Sequence, residues 1–220
     1  MTHPLRVRLD AAAHGVFPPA DGRVEVVASP EGLADVVIGF TGHLVIAADI
    51  DPDAVAAKLP DGDFSVWMAA STLSWIGEQL GSQPLTFDAL LCARGDGSGP
   101  SSWLREIDAL DHPRVVRAAR YRRDMRIFST HDEAGVLVVG RGIGDRWEIG
   151  YEVEPGARGA GLGRRIVAAA RGLVPANEPV WAQVAPGNAA SLRSTMAGGF
   201  VPVAAEVVFP RPRPPEARGQ

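Results

Sequence analysis

The chain of 220 residues has one cysteine, Cys92, one lysine, Lys58, and two tyrosines. A single cysteine excludes an intrachain disulfide, and no cysteine–histidine cluster has the spacing of a zinc site. The net charge of −4 gives no general attraction to nucleic acid or to an anionic membrane. No apolar run approaches the roughly 20 residues of a membrane span, and residues 1–17 lack the apolar core of a signal peptide. We therefore expect a cytoplasmic protein without metal, nucleic-acid or membrane partners.

A chain of 220 residues is long enough for one large domain or two small ones. Its apolar fraction of 46% is ample for a core. Apolar alternation and turn residues divide the sequence into elements. The predicted strands are 24–28, 36–40, 44–48, 87–93, 125–129, 136–141, 147–153 and 179–184, with a hairpin turn at 142–145. The predicted helices are 52–59, 71–80, 103–110 and 113–121, followed by two more after residue 160.

A glycine-rich segment, residues 158–163 with the sequence RGAGLG, separates a strand pattern from a helix pattern. Glycine lets the backbone approach a ligand closely, and a helix N-terminus adds unpaired N–H groups and the positive end of its dipole. Arg158 adds a cation for a charge-assisted contact. The segment therefore predicts a site for a phosphate or pyrophosphate group.

Two familiar phosphate loops fit this segment poorly. A dinucleotide fingerprint requires G-x-G-x-x-G and an acidic residue roughly 20 residues further on. Here the glycines are 159, 161 and 163, and the next strand runs into residues 185–187, APG, without an acid. A Walker loop ends in G-K-[S/T], whereas Gly163 is followed by two arginines. A nucleotide- or dinucleotide-binding enzyme is therefore the weaker alternative.

The segment instead fits the pattern [Q/R]-x-x-G-x-[G/A] and resembles the acyl-CoA pyrophosphate loop of the GNAT superfamily of N-acetyltransferases. After the next strand, residues 188–200, NAASLRSTMAGGF, resemble the second helix of that family, which opens with Asn and closes with Gly-Phe. The resemblance is most specific over 146–209. It implies a mixed, mostly antiparallel sheet flanked by helices (α/β, or α+β), with acetyl-CoA as co-substrate. It also implies direct transfer of an acetyl group to a primary amine in a ternary complex.

The resemblance also implies a set of cofactor-binding residues. A backbone N–H of Val153, or less directly of Glu154, would hold the acetyl carbonyl. Asn188 has a second interpretation that does not depend on the family, because Asn is a good N-cap. The full set is Val153, Glu154, Arg158, Gly159, Ala160, Gly161, Leu162, Gly163, Asn188 and Ser191.

Catalytic groups are assigned by the same resemblance. Glu148 stands where family members often carry the base that deprotonates the amine, and Glu152 shares its strand face as a rival. Either glutamate is equally well explained as a solvated carboxylate or an ion-pair partner. Thr195 stands where many relatives have a tyrosine that protonates the thiolate, but a threonine hydroxyl does not titrate near neutrality. Water, Tyr151 or Tyr121 are the alternatives for the acid, or no acid is needed; Tyr151 is more simply explained by packing in the sheet.

These observations predict three regions. Residues 85–209 form the acetyltransferase core, 1–84 form an N-terminal α/β accessory region outside the resemblance, and the Pro/Arg-rich residues 210–220 form a disordered tail. The acceptor is a small-molecule or peptide amine, and a homodimer is one option for the assembly. A binding module of another class, which keeps the acyl-CoA site as a sensor or structural partner without transfer, is the main alternative. The threonine at position 195 favours it slightly.

Overall fold

The structure is a computed structural model, and it describes residues 2–31, 34–85 and 87–211. The strands in these ranges are β1 (Val24–Val27), β2 (Ala34–Phe40), β3 (His43–Ala47), β4 (Phe87–Arg94), β5 (Leu104–Glu106), β6 (Arg123–Thr130), β7 (Gly135–Arg141), β8 (Trp147–Val153), β9 (Pro179–Val184) and β10 (Val201–Pro210). The helices are α1 (Pro4–Ala13), α2 (Pro52–Lys58), α3 (Phe64–Trp67), α4 (Ala70–Leu80), α5 (Pro113–Ala118), α6 (Leu162–Ala170) and α7 (Ala189–Ala197). Of the predicted disordered tail, residues 212–220 lie outside the described ranges.

All ten strands belong to one sheet, in the order β1-β3-β2-β10-β4-β9-β8-β7-β6-β5. The pairs β1–β3 and β8–β9 are parallel, and the other pairs are antiparallel. The predicted mixed, mostly antiparallel sheet is therefore confirmed. The N-terminal strands extend the same sheet, because β2 pairs with β10 and β10 pairs with β4.

Helices cover both faces of the sheet. On one face, α6 buries Ile166 and Val167 against β7, β8 and β9, and α7 packs beside α6. Farther along the same face, α2 and α4 cover β2, β3 and β10 through Val55 and Ile76. On the opposite face, α1 lies over Trp181 of β9, and α5 lies over β6 and β7. The apolar side chains of each strand alternate between these two cores.

The predicted elements are largely confirmed, with one wrong assignment. Residues 103–110 do not form a helix, because Leu104–Glu106 is the short edge strand β5, which pairs with β6. The sequence interpretation missed α1, although His3 caps its N-terminus and Pro4 occupies its first turn. The predicted turn at 142–145 contains a short 3-10 turn at Ile143–Asp145. None of the helices in the described ranges has the length and apolar character needed to cross a bilayer.

Candidate functional site

The strands β8 and β9 separate at one end and open a wedge in the sheet. Their parallel ladder runs only from the pair Trp147–Val180 to the pair Ile149–Ala182. Beyond it, β8 stays paired with β7 as far as Val153, and β9 stays paired with β4 as far as Val184. Each strand therefore keeps one neighbour while the two diverge from each other. Their facing backbone edges are then open to a ligand.

The backbone of β8 presents Val153 to this open edge. The N–H of Glu154 donates to the carbonyl oxygen of Ala134 at 2.9 Å, on the β7 side. Neighbouring residues of a strand direct their backbone groups to opposite edges, so the N–H of Val153 faces the wedge. Arg158 lies on the same side and donates from Nε to the Val153 carbonyl oxygen at 2.9 Å. Of the two predicted residues, Val153 is thus placed toward a ligand, and the amide of Glu154 is already engaged.

The glycine-rich loop forms the mouth of the wedge. Gly159 and Gly161 have φ angles of 84° and 82°, a left-handed region that favours glycine. The amide of Arg165 is bonded to the carbonyl of Gly161 at 3.2 Å. The amides of residues 162–164 precede that bond and have no acceptor within the helix. No side chain of the described residues caps α6. This helix end therefore offers free N–H groups and a positive dipole to an anion.

The loop, the wedge and α7 enclose a cleft of about 430 Å³, within the size range of small-molecule sites. Its lining includes most of the predicted cofactor residues, namely Val153, Arg158, Gly159, Gly161, Leu162, Gly163, Asn188 and Ser191. The predicted residues Glu154 and Ala160 lie outside that lining. Other lining residues are Arg114, Tyr151, Glu152, Ala157, Ala190 and Ser194.

The helix α7 closes the cleft on the side facing the loop. The Asn188 side chain accepts a hydrogen bond from the Ser191 N–H at 3.1 Å, which confirms the capping interpretation. Gly163 allows α6 to approach α7 and Tyr151 closely, because a Cβ at this position would lie 3.2 Å from both Ser194 Oγ and Tyr151 Cε2. The position of Gly163 is thus set by packing as well as by the loop.

Thr195 is placed differently from the sequence interpretation, whereas Tyr151 packs against the core of the sheet as expected and also borders the cleft. Thr195 is fully buried, and its neighbour Ser194 faces the cleft, because consecutive helical residues point about 100° apart. The Thr195 hydroxyl is therefore outside the cleft, and its assignment as the acid is corrected. The Tyr151 side chain instead forms part of the cleft wall, and its hydroxyl donates to the Ser191 carbonyl oxygen at 3.3 Å. Tyr151 is the phenol that the cleft contains.

The surroundings of Glu148 also disagree with its predicted role as the general base. Its side chain is fully buried, and its carboxylate accepts hydrogen bonds from Arg122 Nε and Arg146 Nε, both at 2.8 Å. The backbone N–H of Ile143 donates to it as well, at 3.2 Å. Burial raises the pKa of Glu148, but the two arginines outweigh burial and lower it below its ordinary value. A buried, paired carboxylate of low pKa is unsuited to removing a proton from a substrate, so the assignment of Glu148 as the base is corrected.

The Glu148 contacts belong to a closed ring of polar groups, buried except for the half-buried Gln183, on the α1 side of the sheet. Arg146 donates to Glu206 at 2.8 Å, and Gln183 Nε2 donates to Glu206 at 3.0 Å. Arg122 donates to Gln183 Oε1 at 2.8 Å and thereby closes the ring. Burial, together with the charge of Glu148, raises the pKa of Glu206 despite its contact with Arg146. The sequence did not predict this ring, because its members come from distant parts of the chain.

A second cavity of about 120 Å³ lies where β8 and β9 separate, adjacent to the ring. It shares Arg114, Tyr151, Asn188 and Ser191 with the cleft. Glu152, the predicted rival base, lies at the rim of the cleft with its carboxylate 3.7 Å from Arg114 Nε. The second cavity contains another carboxyl group, Asp88 of β4, whose pKa is raised to about 6 by burial and by the nearby charge of Glu206.

The sequence did not identify Asp88 as a site residue. Its strand was predicted, but the other segments that line the second cavity with it could not be placed from the sequence. The other residues that line the second cavity are Arg117, Tyr121, Arg122, Ile149, Gly150, Ala182, Gln183, Val184 and Ala185. Across the described ranges, no group of three or more His, Cys, Asp and Glu side chains is arranged to hold a metal ion.

Comparisons with known proteins give structural likenesses only. No protein-family model matches the sequence, and no curated protein matches it significantly. Among solved structures, the chain is similar to an acetyltransferase from the GNAT family from Colwellia psychrerythraea, with 12% identity, a TM-score of 0.38, and 65% of this chain and 63% of that chain covered. It is also similar to a GCN5-related N-acetyltransferase from Kribbella flavida, with 15% identity, a TM-score of 0.41, and 66% and 65% covered.

The chain thus spans less than two thirds of the length of either structure. Both proteins belong to the family that the sequence resembles. At these identities and TM-scores, the likeness assigns neither an activity nor a substrate.

Proposed function

We propose that the protein is an acyl-CoA-dependent N-acyltransferase that moves an acetyl group from acetyl-CoA to a primary amine. The observation that carries this proposal is the combination of the open wedge between β8 and β9 with the uncapped end of α6 at its mouth. An uncapped helix end beside left-handed glycines suits a pyrophosphate, and the wedge behind it suits an extended thioester arm. The cleft volume of about 430 Å³ accommodates part of such a ligand.

In this proposal the protein orients the two substrates and takes little part in bond making. The amides of residues 162–164 and the Arg158 guanidinium bind the pyrophosphate, and the Val153 N–H binds the thioester carbonyl oxygen as it gains negative charge. The amine nitrogen attacks the carbonyl carbon, the C–N bond forms, the C–S bond breaks, and the nitrogen releases one proton to solvent. Alignment in the ternary complex supplies much of the rate.

The departing thiolate needs little help, because thiol pKa values lie near 8.5. Tyr151, the phenol in the cleft wall, is the group we assign to protonate it. Tyr151→Phe removes the donor and is expected to lower kcat about tenfold, below the usual range for acid–base groups because the leaving group is already good. The dissociation constant of acetyl-CoA is expected to stay within a factor of two of wild type.

The binding proposal is tested first, by isothermal titration of the full chain with acetyl-CoA, free CoA, NAD and ATP. We expect binding of acetyl-CoA and CoA only. Arg158→Glu is expected to weaken acetyl-CoA binding at least tenfold, because it places a like charge beside the pyrophosphate. Arg23→Glu, on the exposed surface beside Asp21, makes the same change in net charge away from the cleft and serves as the control. Equal affinity of Arg158→Glu and wild type contradicts the loop assignment, and competition by NAD or ATP supports the nucleotide alternative.

A second candidate is an acyl-CoA-binding module without transfer. The observation in its favour is that Glu148 and Thr195 both lie outside the cleft. Release of free thiol from acetyl-CoA in the presence of an amine panel separates the two candidates. Binding of acetyl-CoA without amine-dependent thiol release supports the module, and amine-dependent release supports the enzyme.

A further inference from the structure

The second cavity has a size that limits what it admits. Its volume is about 120 Å³, which is enough for a few heavy atoms. It lies at the divergence of β8 and β9, and Tyr151 and Arg114 border both it and the larger cleft. A group of a few heavy atoms in this cavity is therefore adjacent to the place where the thioester arm is proposed to lie.

The cavity carries positive charge that the protein itself does not fully balance. Arg114 Nε is buried without a hydrogen-bond partner in the described part of the chain, and the nearest carboxylate oxygen, from Glu152, is 3.7 Å away. Burial lowers the pKa of Arg114, and the nearby charge of Glu152 only partly offsets this effect. Arg117 is exposed on the same helix face, one turn later, and forms no ion pair among the described residues. An anionic group bound here would form charge-assisted hydrogen bonds with both Arg114 and Arg117.

The third arginine of the cavity is already paired. Arg122 donates to Glu148 and Gln183 within the buried ring. It therefore contributes a fixed wall, and the unsatisfied positive charge is that of Arg114 and Arg117.

Asp88 supplies the opposite charge in the same cavity. Asp88 faces Glu206, its direct partner across the β4–β10 pair. The charge of Arg117, on α5, lowers the pKa of Asp88 and partly opposes the effects of burial and of Glu206. Tyr121, Arg114 and Arg122 are the other titratable or charged residues of the lining. Within the described ranges Asp88 forms no ion pair of 4.0 Å or less. A buried carboxylate is costly unless it is paired, because it has lost its hydration. A cation bound beside Asp88 would therefore stabilise its ionised form.

We propose that the second cavity is the acceptor subsite, and that it takes a primary amine that also carries a carboxylate, as an α-amino acid does. Asp88 binds the ammonium group, and Arg114 and Arg117 bind the carboxylate. This inference rests on the proposed acyl transfer, which it deepens by naming the class of acceptor. The small volume admits the ammonium and carboxylate, and the rest of the acceptor extends into the open part of the wedge.

Asp88 also has a chemical role in this arrangement. The ammonium group gives one proton to the Asp88 carboxylate, and the nitrogen lone pair that is freed attacks the thioester carbonyl carbon. The C–N bond forms as the C–S bond breaks, the nitrogen gives its second proton to water, and the thiolate takes its proton from Tyr151, which regains one from water. The proton on Asp88 then passes to solvent, so no other reactant is needed. A carboxyl group with a pKa of about 6 accepts this proton more readily than an ordinary aspartate does.

The test compares matched acceptors on the full chain. L-Amino acids of increasing size are assayed by thiol release beside the corresponding amino-acid amides, which keep the amine and lose the carboxylate. We expect kcat/KM for the preferred amino acid to exceed that for its amide at least 100-fold. Arg117→Gln is expected to raise KM for the amino acid about tenfold, to reduce the preference for the amino acid over the amide, and to leave the affinity for acetyl-CoA unchanged. Arg120→Gln, an exposed neighbour outside the cavity lining, is the control and is expected to change neither value.

Asp88 is tested by Asp88→Asn and by the pH profile. We expect kcat/KM of wild type to fall as the pH drops below about 6, because the protonated carboxyl neither binds ammonium nor accepts a proton. Asp88→Asn is expected to lower kcat at least 100-fold and to leave acetyl-CoA binding intact. Titration of the amino acid and of its amide into the protein saturated with CoA measures acceptor binding without any transfer.

The outcomes separate this inference from the proposed function. Transfer to amides or to simple alkylamines with the same efficiency as to amino acids overturns the acceptor class and leaves acyl transfer standing. Selective binding of amino acids to the CoA complex without any transfer supports the subsite as a binding site but overturns the enzyme and the role of Asp88. Absence of acetyl-CoA binding overturns the proposed function and this inference together.

Discussion

Two glutamates on one face of β8 have opposite surroundings although they are only four residues apart. Glu148 is buried between two arginines, whereas the Glu152 side chain is 38% exposed at the rim of the cleft. Alternation along a strand predicts that the two residues share a face, but it carries no information on what covers that face. At the scale of the residue, the functional assignment therefore depends on partners that come from distant segments.

Glu148→Gln is expected to destabilise the fold. The substitution leaves two buried arginines without a full counter-charge, and removing one partner of a buried pair costs about 3–5 kcal/mol. For a chain of this size, that loss corresponds to a decrease in Tm of about 6–20 °C. Glu152→Gln is the matched control, because its long, half-exposed pair with Arg114, at 3.7 Å, is worth less than about 1 kcal/mol. Thermal unfolding followed by circular dichroism measures both, and equal Tm values for the two variants contradict the structural role of Glu148.

Asp88→Asn is expected to raise thermal stability at neutral pH. The pKa of Asp88 is raised from 3.8 to about 6, so the folded chain binds this proton more tightly than the unfolded chain does. Ionisation of Asp88 therefore lowers the stability of wild type as the pH rises from about 4 through 6, and the loss is complete above that range. Asparagine does not ionise, so the variant escapes this loss.

The measurement is the difference in Tm between Asp88→Asn and wild type across the pH range. We expect the variant to have the higher Tm at pH 7.5 and the difference to shrink as the pH is lowered towards 5. A variant that is less stable by the same amount at both pH values is incompatible with the assigned pKa shift. The same experiment shows whether the variant is folded when its loss of activity is measured.

At the scale of the element, the sequence was most informative where local chemistry and tertiary contacts agree. The bounds of β8 and β9 were predicted correctly, and the glycine-rich loop and the Asn188 cap lie where their chemistry indicated. The edge strand β5 was not predicted, because three residues give no periodicity and pairing with β6 decides their conformation. The second cavity was not predictable either, since its walls come from five elements, α5, α7, β4, β8 and β9, and from the segments next to them.

Gly163→Val is expected to disrupt the junction of loop, α6 and α7. Its Cβ would lie 3.2 Å from Ser194 Oγ and from Tyr151 Cε2, and the two methyl groups of valine extend beyond that Cβ. We expect acetyl-CoA affinity to fall at least tenfold, because α6 must shift away from α7 and carries its free N–H groups with it. Gly156→Val, at a position with no atom within 4 Å of the added Cβ, is the control. Titration with acetyl-CoA compares them, and wild-type affinity in Gly163→Val contradicts the close packing.

At the scale of the whole molecule, β10 joins the N-terminal strands to the cleft. It lies between β2 and β4, and β4 in turn pairs with β9, one wall of the wedge. Val207 and Phe209 of β10 are buried under α4 in the same core as Ile46 of β3. The sequence placed residues 1–84 in a separate accessory region, and in the structure their strands continue the sheet that contains the cleft. We infer that the two parts stabilise each other.

This continuity predicts one cooperative unfolding transition for the full chain. A ligand that binds only the folded state stabilises it by about 2.7 kcal/mol at 100 times its dissociation constant. Acetyl-CoA at that concentration is therefore expected to raise the single Tm by about 5–11 °C. Differential scanning calorimetry with and without acetyl-CoA makes the measurement. Two transitions, of which only one shifts with acetyl-CoA, contradict mutual stabilisation.

A fragment of residues 85–211 tests the same inference more directly. Without β2 and α4, the backbone edge of β10 is left unpaired and Val207 and Phe209 become exposed, which favours aggregation. We expect this fragment to be insoluble alone and to become soluble when residues 1–84 are co-expressed as a separate chain. A soluble fragment that binds acetyl-CoA with the affinity of the full chain means that the C-terminal part folds by itself. In that case the N-terminal strands are an addition to the sheet and not a requirement for the cleft.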